Sequence, residues 1–205
     1  MVADRPRSRA LIGVCLVLLL ALAGSGERTM QAQVIDQAPR KSLMRAAVKT
    51  PHEVIDDRAA VPVRIRIPEI GTAAPVGPLR VDERGSLVPP DANGASGWWR
   101  DGPEPGERGP AVVAGHVDSY RGPAVFFRLP DLPAGARVFI DRADRTTAVF
   151  TVYRVEKHPK NVFPTRAVYG RTPDSELRII TCGGDFDDAD KSYLANVIVF
   201  ARRTS

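Results

Sequence analysis

Prolines and glycines interrupt this chain so often that only short regular segments fit between them. The sequence has 18 prolines and 17 glycines among 205 residues, and they are spread along its whole length rather than gathered in one tract. Both residue types punctuate secondary structure and mark turns. Their distribution leaves little room for long helices and favours short strands joined by turns.

Short apolar runs follow one another from about residue 61 to the end of the chain. The first alternates apolar and basic residues, as a half-buried strand does, and the later ones are rich in Val, Ile and Phe. The predicted strands are Val63–Ile67, Pro75–Val81, Ala111–Ala114, Arg137–Asp141, Ala148–Val155, Glu176–Cys182 and Asn196–Ala201. Short strands at intervals of about 8–20 residues favour a closed or sandwiched all-β fold.

The stretch Pro89–Pro110 separates two of these strands and is rich in Gly, Pro and Asp. It contains two neighbouring tryptophans, Trp98 and Trp99, whose large rings either pack on the domain or form a partner-binding edge. Because aromatic rings contribute so much buried area to protein cores, we favour packing.

The N-terminal segment has the features of a membrane anchor or an export signal. Three arginines precede the apolar run Ala10–Gly24, whose 15 residues fall short of the roughly 20 that span a bilayer. Ala21–Ala23 also fits a signal-peptidase site. Either reading exports the rest of the chain, since the arginines stay on the cytoplasmic side. We favour a retained anchor over residues 1–24, followed by a polar linker over 25–60 and a folded domain over 61–205.

The basic charge of the chain does not indicate nucleic-acid binding. The net charge is +5, yet residues 1–60 carry nine Lys/Arg and six Asp/Glu, and the remainder carries twenty and eighteen. A nucleic-acid-binding protein concentrates basic residues on its folded domain. The surplus near the N-terminus instead suits a membrane surface.

The folded domain contains a single thiol. The chain has two cysteines, and Cys15 lies inside the N-terminal apolar run, so a disulfide with Cys182 is sterically implausible. Exported proteins usually pair their cysteines. Cys182 is therefore either a small buried apolar side chain or a nucleophile.

A cysteine nucleophile needs an imidazole that lowers the thiol pKa and carries protons. Of the three histidines, His52 lies in the linker, and His158, set among lysines and beside a proline, is interpreted as a solvated loop residue. His116 follows a buried-type strand and a glycine, at a strand end that would hold it at the rim of a barrel. Cys182 occupies the matching position on another strand.

The residues around Cys182 suit a peptide substrate. Alternation along the strand predicts Arg178, Ile180 and Cys182 on one face. Gly183 and Gly184 follow, and residues without a Cβ allow a peptide backbone to approach closely. The strand-end histidine and cysteine together point to nucleophilic catalysis.

Five motifs in this order resemble the sortases, over roughly Val63 to Ala201. They are Gly115-His-Val-Asp-Ser119, Phe126-Phe-Arg-Leu129, Phe163-Pro-Thr165, Val168-Tyr-Gly170 and Ile179-Ile-Thr-Cys-Gly-Gly184. The Thr-Cys-Gly-Gly segment and the Asn-Val-Ile-Val-Phe-Ala ending are most similar to the actinobacterial class F (class E/F-like) sortases.

The resemblance implies an all-β domain, an eight-stranded sortase-type β-barrel with short helices and 3-10 turns, behind an N-terminal hydrophobic helix. It implies a cysteine transpeptidase with peptide hydrolase activity that cleaves a Leu-Pro-x-Thr-Gly-like C-terminal sorting signal between Thr and Gly. Its partners would be exported proteins with that signal, a peptidoglycan-type amine acceptor and the membrane, with no cofactor or metal. We expect a monomer with its catalytic domain outside the cell membrane. By position, Cys182 is the nucleophile and His116 the catalytic imidazole.

The sequence departs from the family at one position. Sortases use an arginine beside the cysteine, usually on the strand that follows, whereas Asn196 occupies the aligned place here. We favour Arg178 for this role, because its fork of donors can hold an oxyanion or the substrate backbone. The alternatives are that Arg178 is an exposed surface residue and that Asn196 donates the hydrogen bond.

We expect the sorting signal of the substrate to lie in a groove. The Cys182 strand forms the floor of this groove, and residues 161–170 form one edge. Its lining is expected to comprise Ile180, Thr181, Gly183, Gly184, Val162 and Phe163. Backbone N–H groups of the Thr181–Gly184 turn are candidates for stabilising the oxyanion.

Other functions are weaker readings of the same residues. The acidic segment Asp185–Asp190 lacks the EF-hand spacing, since Ala189 takes a ligand position and no glycine follows, so we interpret it as a solvated turn. Two functional alternatives remain open. One is a hydrolytic cysteine peptidase acting on exported proteins or wall peptides, and the other is a non-catalytic exported binding domain in which Cys182 is merely buried.

Overall fold

The computed structural model describes residues 59–83 and 86–205. The predicted anchor or signal over residues 1–24, and the linker as far as residue 58, lie outside the described residues. Within the described ranges, none of the helices has both the length and the apolar character needed to cross a membrane.

The described residues form ten β-strands, three 3-10 helices and one α-helix. The strands are β1 Pro62–Ile67, β2 Thr72–Leu79, β3 Ser96–Trp99, β4 Gly109–Gly115, β5 Asp118–Ser119, β6 Gly122–Pro123, β7 Arg137–Arg142, β8 Thr147–Pro159, β9 Ser175–Asp187 and β10 Ser192–Arg203. The helices are η1 Pro68–Ile70, η2 Leu129–Asp131, η3 Lys160–Val162 and α1 Thr165–Tyr169. Every helix is short, as the frequent prolines and glycines predict.

Eight strands close into a barrel in the order β1-β2-β3-β4-β9-β10-β8-β7. β2 pairs with β3, and β4 with β9, in parallel, while the other neighbours are antiparallel. β5 and β6 form a separate two-stranded sheet. The predicted eight-stranded barrel is confirmed, and the sandwich alternative is wrong.

Strands β9 and β10 are buried on both faces. On β9, Ile179 belongs to the cluster inside the barrel, while Ile180 belongs to a second apolar cluster on the outer face. The connection between β8 and β9, residues 160–174, covers that outer face with Val168 and Tyr169. Strands covered on both sides have continuous apolar sequences, as the run Val197–Ala201 of β10 does.

The two central strands extend further than the sequence predicts. β9 continues past Cys182 to Asp187, and β10 begins at Ser192 rather than Asn196. Gly and Asp are depleted in strands, so the local composition of the added residues predicts a turn. Cross-strand pairing overrides it, since Asp187 is opposite Ser192 in the register.

The Gly/Pro/Asp-rich stretch contains strand β3, which was not predicted. Trp98 and Trp99 are 5% and 1% exposed, so the expectation that they pack on the barrel is confirmed. The indole N–H of Trp98 donates to the carbonyl of Pro103 at 2.9 Å. The short strand depends on pairing with β2 and β4, which no local pattern reveals.

The doubly covered strand β9 predicts a large cost for truncating its inner face. Because Ile179 is fully buried, we expect Ile179→Ala to lower the free energy of unfolding by about 2–5 kcal/mol. Val63→Ala, at a position 44% exposed on β1, is the control and should change it by less than about 0.5 kcal/mol. Urea denaturation followed by circular dichroism measures both. Equal losses for the two variants would contradict the assigned core.

Candidate active site

The parallel pairing of β4 with β9 brings His116 and Cys182 to the same level. Ala114 is opposite Ile180 in the register, so two residues further on His116 lies level with Cys182. The hydroxyl of Thr181 donates to the carbonyl of Gly115 at 2.9 Å, which extends the link between the strands to this point. Neighbouring strands lie about 4.8 Å apart, and residues at one level point to the same face. The predicted pair is therefore brought together, but only His116 follows a strand end, since β9 continues past Cys182 to Asp187.

A backbone carbonyl holds the imidazole of His116. Nε2 lies 2.8 Å from the carbonyl oxygen of Pro90, and a carbonyl only accepts, so Nε2 carries the hydrogen. The ring is 8% exposed, and Nδ1 has no hydrogen-bond partner among the described residues. Because the partner of one ring nitrogen sets the role of the other, Nδ1 is the nitrogen left to exchange a proton.

The strand end before His116 requires a glycine. A Cβ on Gly115 would lie 2.7 Å from side-chain atoms of Val125 and Phe126, closer than carbon atoms approach without a shift. The backbone N–H of Phe126 donates to the carbonyl of His116 at 3.0 Å. The segment carrying Phe126 thus fixes the backbone from which the imidazole projects.

Cys182 is a buried thiol. The residue is 1% exposed and belongs to the outer apolar cluster together with Ile180, Phe163 and Tyr169. A peptide carbonyl can reach the sulfur only if some of these side chains move apart.

Asn196 lies directly beside Cys182. The two residues are opposite each other in the register of β9 and β10, and Asn196 is fully buried. Its side-chain Nδ2 donates to the carbonyl of Thr181 at 3.4 Å. An amide donor therefore sits next to the sulfur, on the strand where the family's arginine was expected.

Arg178 shares the face of Cys182 but its charged group points elsewhere. It is four residues from Cys182, about 13 Å along a strand, and its Nη2 lies 2.6 Å from the carboxylate of Glu176. Nε donates to the carbonyl of Ala167 in α1 at 3.1 Å, and Nη1 to that of Leu177 at 3.3 Å. At 3% exposed, Arg178 is not the surface residue considered as its alternative.

The residues expected to line the groove differ in their exposure. Ile180, Thr181 and Gly183 are buried, as is Phe163, whereas Val162 is 62% exposed and Gly184 is exposed. Gly184 has φ = 78°, a left-handed conformation that glycine adopts without strain. The exposed members thus lie on the two sides of the covered cysteine, at η3 and beyond the sulfur on β9.

His158 is placed differently from the prediction. It lies within β8, half-buried and opposite Asn196, not in a solvated loop. Its Nε2 lies 2.8 Å from the carboxylate of Glu156. Because Asn196 is in turn opposite Cys182, His116, Cys182, Asn196 and His158 form one row across four strands. The prediction ended this strand at Val155, because the lysines and the proline around His158 suggested a loop. β8 in fact continues to Pro159.

A tyrosine and an aspartate beside this row were not predicted from the sequence. The hydroxyl of Tyr193 on β10 donates to the carboxylate of Asp118, two residues after His116. Burial, this hydrogen bond and the negative charges of Asp118 and of the Cys182 thiolate together raise the pKa of Tyr193 to about 12. The hydroxyl therefore keeps its proton near neutral pH and remains a donor.

Comparison with known proteins gives one family. The family model described as "Sortase domain" matches residues 65–204. A search of curated proteins finds no match. The solved structures that are similar to this chain include several sortases.

Three of these structures show the likeness in fold. Sortase A from Corynebacterium diphtheriae, as a lid mutant, has a TM-score of 0.55 at 18% identity and covers 71% of this chain and 70% of its own. Sortase C from Clostridium perfringens SM101 has a TM-score of 0.55 at 13% identity, covering 80% and 82%. Sortase C-1 from Actinomyces oris has 0.53 at 19%, covering 70% and 75%.

The buried ion pair predicts a stability effect that is separate from chemistry. Arg178→Met leaves the carboxylate of Glu176 buried without its partner, so we expect the free energy of unfolding to fall by about 3–5 kcal/mol. Replacing both residues, as R178M/E176L, removes the uncompensated charge and should recover much of the loss. The exposed pair of Arg128 with Asp131 supplies the control, since Arg128→Met should barely move the urea midpoint. Similar midpoints for R178M and R128M would contradict a buried pair.

Proposed function

This chain belongs to the sortase family, whose members are cysteine transpeptidases, and we propose that it cleaves a Leu-Pro-x-Thr-Gly-like sorting signal between Thr and Gly. The acyl group then passes to an amine acceptor of the cell wall. The observation that carries this proposal is the shared level of His116, directly after β4, and Cys182, within the adjacent parallel strand β9.

The first step forms a thioester. The Cys182 thiolate attacks the carbonyl carbon of the Thr–Gly bond, and the carbon–nitrogen bond breaks as the carbon–sulfur bond is retained. His116, as imidazolium, gives the proton on Nδ1 to the departing amine of glycine. The Pro90 carbonyl supports this assignment, because it engages Nε2 and leaves Nδ1 as the mobile site.

The second step resolves the thioester. An incoming amine attacks the same carbonyl carbon, its proton passes to Nδ1 of His116, and the thiolate of Cys182 leaves. Water in place of the amine gives hydrolysis by the same route, so peptide hydrolase activity is the expected side reaction. Dividing one amide exchange into two steps through a covalent intermediate is nucleophilic catalysis.

Neutral donors around the sulfur are our candidates for the oxyanion. They are the backbone N–H groups of the Thr181–Gly184 segment and the side-chain amide of Asn196, which lies opposite Cys182. The catalytic role of Arg178 remains a prediction. Its contacts with Glu176 and Ala167 support a different task, holding α1 against β9.

Access to the sulfur is part of the proposal. Residues 160–174 cover the outer face of β9, and the ring of Tyr169 in α1 packs edge-on against Trp99 with centroids 5.4 Å apart. We place the sorting signal of the substrate between this connection and the end of β4. The apolar side chains around Cys182 move apart as the sorting signal enters. The exposed side chain of Val162 would edge the groove there.

The wider assignments follow from the sequence. We propose class F (class E/F-like) membership from the motif endings, a retained N-terminal anchor from the apolar run, and a monomeric catalytic domain outside the membrane. Exported proteins with a sorting signal and a peptidoglycan-type amine are the proposed partners. The 1% exposure of Cys182 is the observation that favours the rival function, a non-catalytic exported binding domain.

An acyl-enzyme trap tests the reaction. Incubating the full chain, in mild detergent, with a Leu-Pro-x-Thr-Gly peptide should add the acyl fragment to Cys182 as a thioester seen by mass spectrometry, and adding triglycine should shift the products from hydrolysis to ligation. Cys182→Ala should form no adduct, and His116→Gln should lower kcat by about 10²–10⁴-fold. Asp141→Ala, which breaks the ion pair with Arg66 between β1 and β7, is the control and should retain activity. Cleavage by Cys182→Ala would sink the proposal.

Thiol reactivity separates the enzyme from the binding domain. In a Cys15→Ala chain, iodoacetamide should modify Cys182 in the folded protein, because the thiolate reacts and the imidazole promotes its formation. His116→Gln should slow this modification about tenfold or more. A thiol that reacts only after unfolding, and at a rate indifferent to His116, would instead support the non-catalytic domain.

A further inference from the structure

The Tyr193–Asp118 hydrogen bond links the segments on either side of the strand that carries Cys182. In the barrel, β9 lies between β4 and β10. Asp118, two residues after His116, is the first residue of β5, which follows β4, and Tyr193 is the second residue of β10. The hydroxyl of Tyr193 donates to a carboxylate oxygen of Asp118, so one side-chain contact connects the two neighbours of β9.

This contact lies on the same face as the sulfur. Tyr193 packs against the outer apolar cluster that contains Cys182, and Val117, between His116 and Asp118, belongs to that cluster. The ring of Tyr193 is also held edge-on by Phe186, with centroids 5.1 Å apart. The hydroxyl is therefore aimed from a fixed ring at a carboxylate beside the catalytic pair.

The segment that carries His116 is held by backbone hydrogen bonds from residues that follow it, since the N–H groups of Phe126 and Ala124 donate to the carbonyls of His116 and Val117. Neither of these bonds joins the segment to β10. β5 and β6 are two residues each and pair only with one another. The imidazole is held by one carbonyl, that of Pro90. A displacement of about 1 Å between reacting groups can cost a factor of 10² in rate, so a tie between this segment and β10 matters to the reaction.

We infer that Asp118 is a positioning residue for the Cys182–His116 pair and that it acts through the hydroxyl of Tyr193. The hydrogen bond fixes the segment after β4 relative to β10, and with it the spacing between the imidazole and the sulfur on the strand between them. This inference rests on the proposed transpeptidase function. Asp118 acts here as a hydrogen-bond acceptor, and its negative charge is secondary.

Four variants of the full chain separate a hydrogen-bond tie from a charge effect. Tyr193→Phe removes the hydroxyl and keeps the ring, and Asp118→Ala removes the acceptor. Each should lower kcat for peptide cleavage about tenfold with KM changed less than about twofold. The kcat of the double variant Y193F/D118A should fall no further than that of the more impaired single variant, because the two substitutions remove the same contact. Asp118→Asn keeps an acceptor oxygen and should lose less than about threefold.

The opposite pattern would overturn the inference. The inference fails if Asp118→Asn lowers kcat as much as Asp118→Ala does while Tyr193→Phe keeps full activity. The negative charge of Asp118, and not its hydrogen bond, would then account for the loss of activity. It also fails if the reductions in kcat of the two single variants multiply in the double variant, or if KM rises while kcat is unchanged.

Asp141→Ala is the control, since it breaks the ion pair with Arg66 between β1 and β7, remote from the site, and should keep kcat. Thermal denaturation of every variant shows that the assay temperature lies below unfolding.

Alkylation of Cys182 keeps this test independent of the substrate. In the Cys15→Ala chain, Tyr193→Phe and Asp118→Ala should slow modification by iodoacetamide by a similar factor, at least about threefold, and the double variant should match them. If the unmodified chain cleaves no sorting-signal peptide, the proposed function fails, and the alkylation series still decides the inference. Unchanged alkylation in both single variants rejects the tie.

Discussion

Parallel pairing of β4 with β9 is the constraint on which the active site depends. Parallel strands cannot be joined by a hairpin and need a long crossover connection, so the chain travels through β5 to β8 and α1 before it returns beside β4. Both strands then run in the same direction, and β9 passes Cys182 at the level where β4 has just ended. Their register places His116 and Cys182 at one level, although 66 positions separate them in the sequence. An antiparallel partner would have placed the start of one strand beside the end of the other.

The same connection that makes the parallel pair possible also covers its outer face. Residues 160–174 pass over β9 and β10, and the Arg178 guanidinium fastens them by donating to Ala167 while it pairs with Glu176. A buried ion pair of this kind contributes little net stability compared with apolar residues, but it orients the guanidinium that binds the Ala167 carbonyl of α1. These contacts hold the connection against β9 and leave Cys182 only 1% exposed. The same packing that orders the site therefore limits the access of a substrate to the sulfur of Cys182.

The sequence predicted those features of the structure that follow from a local residue pattern. It did not predict the features that depend on pairing between strands distant in the sequence. Alternation and apolar runs predicted a closed or sandwiched all-β fold, because period and punctuation are local properties, and the resemblance to the sortases implied the eight-stranded barrel. His116 does follow a strand end, whereas Cys182 lies inside β9. The extension of β9 to Asp187, strand β3 with its two tryptophans and the place of His158 in β8 all depend on a neighbouring strand. The contact of Arg178 with Ala167 and that of Tyr193 with Asp118 are likewise set by the tertiary fold. No spacing along the chain encodes such contacts.

Asn196 stands at the position of β10 where the sequence comparison expected an arginine, and this changes how negative charge can be stabilised at the site. The guanidinium of Arg178 already faces Glu176, so its charge is largely balanced and directed toward the start of β9. The sulfur instead has Asn196 opposite it on β10 and the backbone of the Thr181–Gly184 segment next to it. Neutral donors are weak in water, yet in a dry site they are already oriented and need no reorganisation as charge develops. Burial of Cys182 among apolar side chains strengthens each such dipole, because the local dielectric constant is low. The cover over the thiol is thus what would let an amide and backbone N–H groups serve in place of a cation.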